Sequence, residues 1–233
     1  MNLKKAYLAA IAADSEQEHL IAFAERAIGS QEGKLLDVGC GYGRNLRVLQ
    51  AKGFDAIGVE VNPAIVKAAV ASGLPCKTVE DFEHDTQLFD VLVMSHIIEH
   101  IPPRELLGFM DSYLDRLQIG GHLVIATPLM SNNFYDDFDH VRPYQPLGLL
   151  MVFGKSAAQV QYYARNRLEL CDIWFRRGPW RLNYSRLRFA KGRRRHLMQL
   201  IDLTSAFLFK LSFGLLGRTD GWVGLFRKLE CSD

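Results

Sequence analysis

The residues with the clearest capacity for chemistry stand in one short stretch, "LLDVGCGYG", at positions 35–43. It joins a strand-like apolar run to three glycines at alternate positions, Gly39, Gly41 and Gly43, and Asp37 stands just before them. Glycines at such a turn let the backbone approach a ligand closely, and a helix that follows presents free N–H groups. The stretch therefore predicts a ligand-binding turn between a strand and a helix.

Two acids frame this turn and indicate the type of ligand. A second predicted strand, "DAIGVEV", carries Glu60 about 20 residues further on, where an acid binds ribose hydroxyls in folds of this type. Dinucleotide sites use GxGxxG, whereas this turn is GxGxG with Asp37 beside it. Because an acid there would repel a pyrophosphate, the pattern favours a ligand that carries an ammonium or sulfonium group. A dinucleotide is the alternative.

Histidines and acids cluster after the fourth and fifth predicted strands. The segment "HIIEH" contains His96, Glu99 and His100, and its two histidines share a face if the segment is helical. The spacing is not HExxH and the sequence shows no third ligand, so we predict no metal site. A polar, aromatic loop follows at 131–146.

From these two segments we take His140, His96 and His100 as candidate catalytic residues, and Tyr135, His140, Arg142 and Tyr144 as candidate substrate-binding residues. Open α/β sheets bind ligands at the loops that follow their strands. The alternatives are structural: Glu99 and His100 as packing residues, and His140 as part of a network that anchors its loop.

Composition and charge limit the class of protein. With 48% apolar and 23% charged residues in 233, the chain has an ordinary globular composition. Its charge is asymmetric: residues 1–164 hold 13 Lys/Arg and 20 Asp/Glu, a net −7, and residues 165–233 hold 15 and 6, a net +9. A basic C-terminal part indicates an anionic partner, a membrane surface, or docking within the protein or an oligomer.

The sequence carries no clear signal for secretion, for membrane insertion or for cysteine redox chemistry. The four cysteines, at 40, 76, 171 and 231, have no CxxC spacing, so the pattern suggests neither zinc nor a redox dithiol and fits a reducing cytoplasm. The Ala-rich N-terminus imitates a signal peptide, but acids follow at once and the pattern continues as an amphipathic helix. No run of about 18 apolar residues predicts a membrane-spanning helix.

Strands and helices alternate along the chain. We predict strands at 34–39, 55–61, 74–80, 89–95, 121–128, 168–175 and 221–230, and helices at 3–28, 44–53, 63–72, 102–117, 146–165 and 197–216. This rhythm predicts an α/β fold with a doubly wound sheet of seven strands and helices on both faces.

Four ordered motifs resemble the class I S-adenosylmethionine-dependent methyltransferases. "LLDVGCGYG" is similar to their first motif, "GVEVNP" to the second, "FDVLVMSHIIEHIPP" to the fourth-strand region, and "GGHLVIATP" to the fifth. The resemblance covers about residues 33–130 and implies a Rossmann-like fold with a last strand antiparallel to the others. The sequence "MSHI" at the end of the fourth strand lacks the [ND]-P-P-[YFW] motif of relatives that methylate amino groups of nucleobases or glutamine. Its absence argues against those substrates.

The resemblance also implies which residues hold S-adenosylmethionine. Those of the turn would cradle its methionyl end, Glu60 would bind its ribose hydroxyls, and the residues around 79–81 would lie near the adenine, although "TVEDFE" departs from the family's commoner form. The expected cofactor residues are Asp37, Gly39, Cys40, Gly41, Gly43, Glu60, Val61, Glu80, Asp81, Ser95 and His96.

The resemblance divides the chain into a helical cap (1–32), a methyltransferase core (33–175), a basic insertion (176–220), and a last strand with a tail (221–233). In this fold the connection between strands six and seven leaves from the substrate side of the sheet. We therefore expect the insertion near the substrate mouth. A wide apolar helix face within it suits burial at a membrane interface or between subunits. The face comprises Leu197, Leu200, Ile201, Leu208, Leu211 and Leu215, widened by Phe207, Phe209 and Phe213.

These observations predict a methyltransferase that acts on O or C of a small-molecule, glycan or lipid-linked acceptor. Its place would be the cytoplasm, with peripheral contact to the inner membrane face or a homodimer through residues 176–220 as alternatives. An ordinary solvated lid is a further reading of the insertion, and nucleic acid is disfavoured as a partner. Two other classes stay open: a non-catalytic cofactor-binding or membrane-associated module, and an NAD(P)-dependent oxidoreductase.

Overall fold

A computed structural model describes residues 15–29, 33–154, 164–189 and 191–230, with the backbone alone at 193–195. Seven strands form one sheet: β1 (Lys34–Val38), β2 (Asp55–Glu60), β3 (Cys76–Thr78), β4 (Phe89–Ser95), β5 (Leu117–Pro128), β6 (Arg167–Gly178) and β7 (Arg218–Leu229). The helices are α1 (Glu16–Ile28), α2 (Arg44–Ala51), α3 (Pro63–Ala71), α4 (Val79–Glu83), α5 (Pro103–Leu114), α6 (Pro146–Phe153) and α7 (Arg193–Leu211).

The strand order is β3-β2-β1-β4-β5-β7-β6, and β7 is antiparallel to both of its neighbours. The prediction of a seven-stranded, mostly parallel sheet with an antiparallel last strand is therefore confirmed. Since β6 runs in the direction of β5, the chain leaves β1, β4, β5 and β6 at the same edge of the sheet. The loops at that edge carry most of the residues to which the sequence assigned chemistry.

Helices cover both faces of the sheet, because the inner strands are apolar on both sides. On one face α5 and α6 pack on the side chains of Leu92, Ile125 and Trp222. On the other, α1, α2 and α3 pack on Val91, Val93 and Val124. Alternate residues of one strand thus belong to two different cores, which explains why β4 reads as an unbroken apolar run.

Several element boundaries differ from the predicted ones. The helix predicted at 3–28 is described from Glu16, and its earlier part lies outside the described residues, as does much of the helix predicted at 146–165. Strands β6 and β7 continue into the segment predicted as insertion, where Arg177 pairs with Thr219 and Gly178 with Arg218. An ion pair between Arg176 and Asp220 at 2.7 Å joins the two strands there. The helix α7 ends earlier than predicted, and Phe213 and Gly214 follow in left-handed conformation.

Among the helices of the described ranges, none is both long enough and apolar enough to cross a bilayer.

Candidate cofactor and acceptor site

The turn after β1 requires glycine at two positions. Gly39 and Gly43 have φ angles of 65° and 76°, in the left-handed region where a side chain is strained. A Cβ on Gly39 would also lie 2.1 Å from Cδ1 of Ile97. Gly43 is the N-cap of α2, and the N–H of Gly39 donates to the carbonyl of Val59 at 2.7 Å. The turn is thus held against the end of β2.

Two cavities share Gly39 as a wall. The first, about 470 Å³, is lined largely by apolar side chains, and the second, about 590 Å³, is more polar. The first includes Val59, Glu60, Val79, Phe82, Phe109 and Tyr113, and the second includes Gln17, Cys40, Gly41, Ser95, His96 and Arg176. An apolar cavity beside a polar one fits a ligand that has a flat base at one end and a charged tail at the other.

Glu60 stands at the end of β2, in the wall of the first cavity. It is buried, and its Oε2 accepts the N–H of Gly41 at 3.0 Å while its Oε1 accepts the N–H of Asn62 at 3.0 Å. Two backbone donors therefore fix the orientation of this carboxylate before any ligand arrives. Each oxygen keeps acceptor capacity for a hydroxyl.

Asp37 stands in β1, just before the glycine turn, and is 1% exposed. No described residue donates a hydrogen bond to its Oδ2. Burial raises the pKa of this carboxyl from 3.8 to about 7. A buried carboxyl with an unpartnered oxygen, two positions before Gly39 in the wall of both cavities, is complementary to an ammonium group.

Cys40 also belongs to the turn, and its thiol is packed inward. Its Sγ lies 3.3 Å from Sγ of Cys76, and a Cβ on Gly58 would collide with it at 2.5 Å. Burial raises the pKa of the Cys40 thiol. The side chain is a packing group, and the sequence spacing of the two cysteines did not indicate that they meet.

A chain of ion pairs borders the second cavity, and the sequence analysis missed it. Glu16, in the first turn of α1, contacts Nε2 of His96 at 2.5 Å and the guanidinium of Arg176 at 2.8 Å. On its other side His96 places Nδ1 3.1 Å from Oε1 of Glu99. Burial lowers the pKa of His96, but the carboxylates of Glu16 and Glu99 outweigh it and raise the pKa to about 9. His96 is therefore a cation at neutral pH. An acid in the first turn of a helix is too common to have signalled this role.

The other two predicted catalytic histidines lie together. His100 ends a 3-10 turn after β4, and its ring centroid is 4.9 Å from that of His140 in the loop after β5. The loop is anchored there because the N–H groups of Val141 and Arg142 donate to the carbonyl of Glu99. His100 and His140 thus come from segments 40 positions apart and meet beside buried Glu99.

The remaining predicted substrate residues are placed differently from one another. Tyr144, predicted to contact substrate, is buried, and its hydroxyl donates to the carbonyl of Ile101 at 2.8 Å, which indicates a structural role. The guanidinium of Arg142 lies over the ring of Tyr144 at 5.7 Å, on the side facing a separate cavity between α5 and α6. Tyr135 is exposed and packs edge-on against Phe134.

The other predicted cofactor residues also divide into two groups. Ser95 lines the second cavity, and Val61 the first. Glu80 and Asp81 are exposed on α4, and the cavity reaches Val79, Phe82 and Glu83 of that segment instead. The reason is the cap: Thr78 receives the N–H of Asp81, which starts a helix there and turns the two acids outward.

The segment between β6 and β7 contacts the loop after β5. The phenol of Tyr184 donates to Asp136 at 2.5 Å, and Arg218, where β7 begins, donates to Asn133 at 3.3 Å. The segment is therefore a neighbour of the loop that carries His140.

The helix α7 in this segment leaves its most apolar side exposed. Its inner side buries Met198, Ala206 and Phe209, together with Asp202, which pairs with Arg188 at 3.0 Å. Phe209, predicted to widen the apolar face, packs instead against Gly217. Ile201 is half-buried, and the rest of that face is exposed: Leu197, Leu200, Phe207, Leu208, Leu211, Phe213 and Leu215.

Comparison with known proteins places this geometry in a family. A family model described as "Methyltransferase domain" matches residues 11–194, which is more than half of the chain. No curated protein sequence matches it significantly.

Solved structures of similar fold cover nearly the whole chain at low identity. One is an S-adenosylmethionine-dependent methyltransferase from Archaeoglobus fulgidus, 18% identical over 91% of this chain and 92% of its own, with a TM-score of 0.59. Another is the N-methyltransferase NodS from Bradyrhizobium japonicum with S-adenosylhomocysteine, 14% identical over 93% and 90%, TM-score 0.56. The [4+2]-cyclase SpnF is 19% identical over 92% and 82%, TM-score 0.55. At such identities the likeness concerns the fold.

Proposed function

This chain belongs to the methyltransferase-domain family and is an S-adenosylmethionine-dependent methyltransferase, and we propose that it methylates an oxygen or carbon atom of a lipid-linked acceptor at an anionic membrane surface. The observation that carries the choice of acceptor is the exposed apolar side of α7, which lies in a basic segment beside the His140 loop. Small-molecule and glycan acceptors are the broader class from which this choice is made.

The chain's own residues fit the cofactor. S-adenosylmethionine supplies a methyl group on a sulfonium sulfur. Glu60, held by two N–H groups, would accept hydrogen bonds from ribose hydroxyls, and the apolar chamber with Phe82 and Tyr113 would enclose the adenine. The unpartnered carboxyl oxygen of Asp37 and the glycine turn would hold the positively charged methionyl end.

The acceptor is proposed to lie on the side of His100 and His140. Methyl transfer is an in-line displacement, so much of its rate comes from alignment, and a hydroxyl acceptor gains further from a base. His96 is already protonated at neutral pH and cannot accept a proton there, so it serves to hold Glu16 and Glu99. His100 and His140 are the better candidates to receive the acceptor's proton.

The segment from 176 to 218 has the charge and exposure that suit an anionic bilayer. It holds 11 Lys/Arg and one acid, Asp202, whose charge is paired with Arg188. The large side chains of Leu200, Phe207 and Leu211 are each more than 60% exposed. Basic residues attract anionic lipid, each worth about 1 kcal/mol near the surface, and the apolar side can then enter the interface.

Flotation with vesicles tests the membrane contact. Wild-type protein should float with vesicles that contain phosphatidylglycerol, float less as salt rises, and stay behind with neutral vesicles. Replacing Leu200, Phe207 and Leu211 by serine should reduce the bound fraction at least about tenfold. The matched control is Ile119→Ser, because Ile119 is equally exposed but lies at the start of β5, on the opposite edge of the sheet.

Three results would redirect the proposal. If wild-type protein does not bind anionic vesicles and sediments as a dimer, and the triple variant sediments as a monomer, the apolar side of α7 is a subunit interface. For the cofactor, calorimetry should detect S-adenosylhomocysteine and no NAD, and the reverse would favour an oxidoreductase. Binding without turnover of any membrane-extract acceptor would favour a non-catalytic module.

A further inference from the structure

We propose that Glu99, His100 and His140 form a binding site for one divalent transition-metal ion of the zinc type. The side chains come from the exit of β4 and the loop after β5, and a ligand atom from each lies within 4.8 Å of those of the other two. Sequence spacing predicted no metal because it showed no third ligand. The tertiary structure supplies that ligand from the other segment.

Hydrogen bonds hold both imidazoles in the tautomer that a metal needs, with the proton on Nδ1. Nδ1 of His140 lies 2.7 Å from the carbonyl oxygen of Phe134, and Nδ1 of His100 lies 3.2 Å from that of Asp139. A carbonyl oxygen can only accept, so Nδ1 carries the proton in both rings. In the neutral ring Nε2 then keeps its lone pair. Metal-binding histidines in proteins show this arrangement, with one nitrogen bound to a backbone oxygen and the other free for the ion.

Glu99 supplies a buried carboxylate. The residue is 0% exposed, and the hydroxyl of Thr127 donates to its Oε2 at 2.9 Å. Oε1 makes no hydrogen bond within the described structure, and its ion pair with His96 is not aligned for one. His96 on one side balances part of the charge of this buried carboxylate, and the lone pairs that Oε1 does not use in a hydrogen bond stay available to a metal ion.

The surrounding charge and the donor set select the class of ion. Asp137 adds a second carboxylate oxygen 3.7 Å from Nε2 of His140, which offsets the positive charge of His96 beside Glu99. Two imidazole nitrogens and a carboxylate suit Zn²⁺, Fe²⁺ or Co²⁺ better than Mg²⁺ or Ca²⁺, which prefer oxygen. Tetrahedral ligands about 2 Å from Zn²⁺ lie ~3.4 Å apart, so small side-chain rotations would close the cluster on an ion.

Three protein ligands leave a coordination position open. At a metal site of this type the open position binds water or a substrate oxygen. With both histidines bound to the ion, neither could act as the base proposed above; the ion would instead lower the pKa of an acceptor hydroxyl at the open position, and its proton would pass to water. This role rests on the proposed function, whereas binding of the ion does not.

Metal binding is tested on the full chain without an affinity tag. The protein is incubated with Co²⁺ or Zn²⁺, desalted, and analysed for bound metal by plasma mass spectrometry, and the affinity is measured by calorimetry. We expect one ion per chain. Visible absorption of the Co²⁺ form should show nitrogen and oxygen ligands, without the charge-transfer band that thiolate ligands give.

Variants identify the ligands. His100→Ala and His140→Ala should each weaken binding at least about 100-fold, since even outer-shell changes cost 10–100-fold. The controls are His84→Ala and His196→Ala, exposed histidines elsewhere in the chain, which should bind as wild type does. Glu99→Gln is informative if circular dichroism shows it folded, and the two histidine variants decide the question if it is not.

Binding of less than 0.1 ion per chain by wild-type protein, or equal losses in the control variants, would overturn the proposal. So would a thiolate spectrum, which would place the ion on cysteine. S-adenosylhomocysteine affinity, measured on the same preparations, separates the two claims. A metal-binding protein that ignores S-adenosylhomocysteine would refute the cofactor site alone, and the opposite result would refute the metal site alone.

Discussion

Replacing Asp37 by asparagine should stabilise the ligand-free protein at neutral and alkaline pH and weaken its affinity for S-adenosylhomocysteine. The carboxyl is 1% exposed, and its Oδ2 has no donor among the described residues. Asparagine keeps the shape of the side chain and removes the charge. The two effects have opposite signs, so a general disturbance of the fold could not produce both.

The magnitude follows from the pKa of this carboxyl. Burial raises it from 3.8 to about 7 on folding, so the native state binds the proton more tightly than the unfolded state does. Ionisation therefore destabilises the native state by about 1.36 kcal/mol for each pH unit between 4 and 7. The cost reaches about 4 kcal/mol above pH 7, is about 2 kcal/mol at pH 5, and vanishes below pH 4. The Asp37→Asn variant should gain stability by these amounts.

Urea denaturation followed by circular dichroism at pH 8, 6.5 and 5 measures the stability gain. The control is Asp55→Asn, an exposed carboxyl at the start of β2, which should show no such dependence on pH. Calorimetry with S-adenosylhomocysteine measures the affinity, which should fall at least tenfold, or about 1.4 kcal/mol, for loss of a charge partner. A variant no more stable than the control at pH 8 would show that the carboxylate is solvated. Unchanged affinity would remove Asp37 from the cofactor site.

Three further substitutions test the elements around the site by urea denaturation. Gly39→Ala should cost about 3 kcal/mol, because left-handed strain and a collision add, whereas Gly73→Ala, also left-handed but in open space, should cost about 1 kcal/mol; equal costs would deny the collision. Glu16→Gln should cost about 2 kcal/mol by leaving two cations with a neutral partner, and an unchanged midpoint would mean that the ion pairs are solvated. Asp111→Ala should cost about 3 kcal/mol, since this buried carboxylate accepts N–H groups where the chain enters β6, and a cost under 1 kcal/mol would contradict that role.

The sheet and the glycine turn were predictable because their signals are local. Alternation of apolar runs with helical periods depends on residues within a few positions of one another, and so do the caps at Asn62 and Gly43. The position of Glu60 beside the turn was predictable because, in any sheet of this order, the last residue of β2 lies next to the turn after β1. The errors were equally local in origin: α7 was placed by its leucines, while burial of Phe209 depends on Gly217 beyond the helix.

The amino-acid sequence by itself determined the fold, the glycine turn after β1 and the strong positive charge of the segment from 176 to 218. Only the tertiary structure decided which distant side chains meet. Glu16 contacts a histidine 80 positions away and an arginine 160 positions away, and His100 and His140 meet on Glu99 through two loops. Such contacts depend on how strands are ordered and where loops fold back. No short pattern encodes that order, because the free energy that fixes it comes from burial summed over the whole sheet.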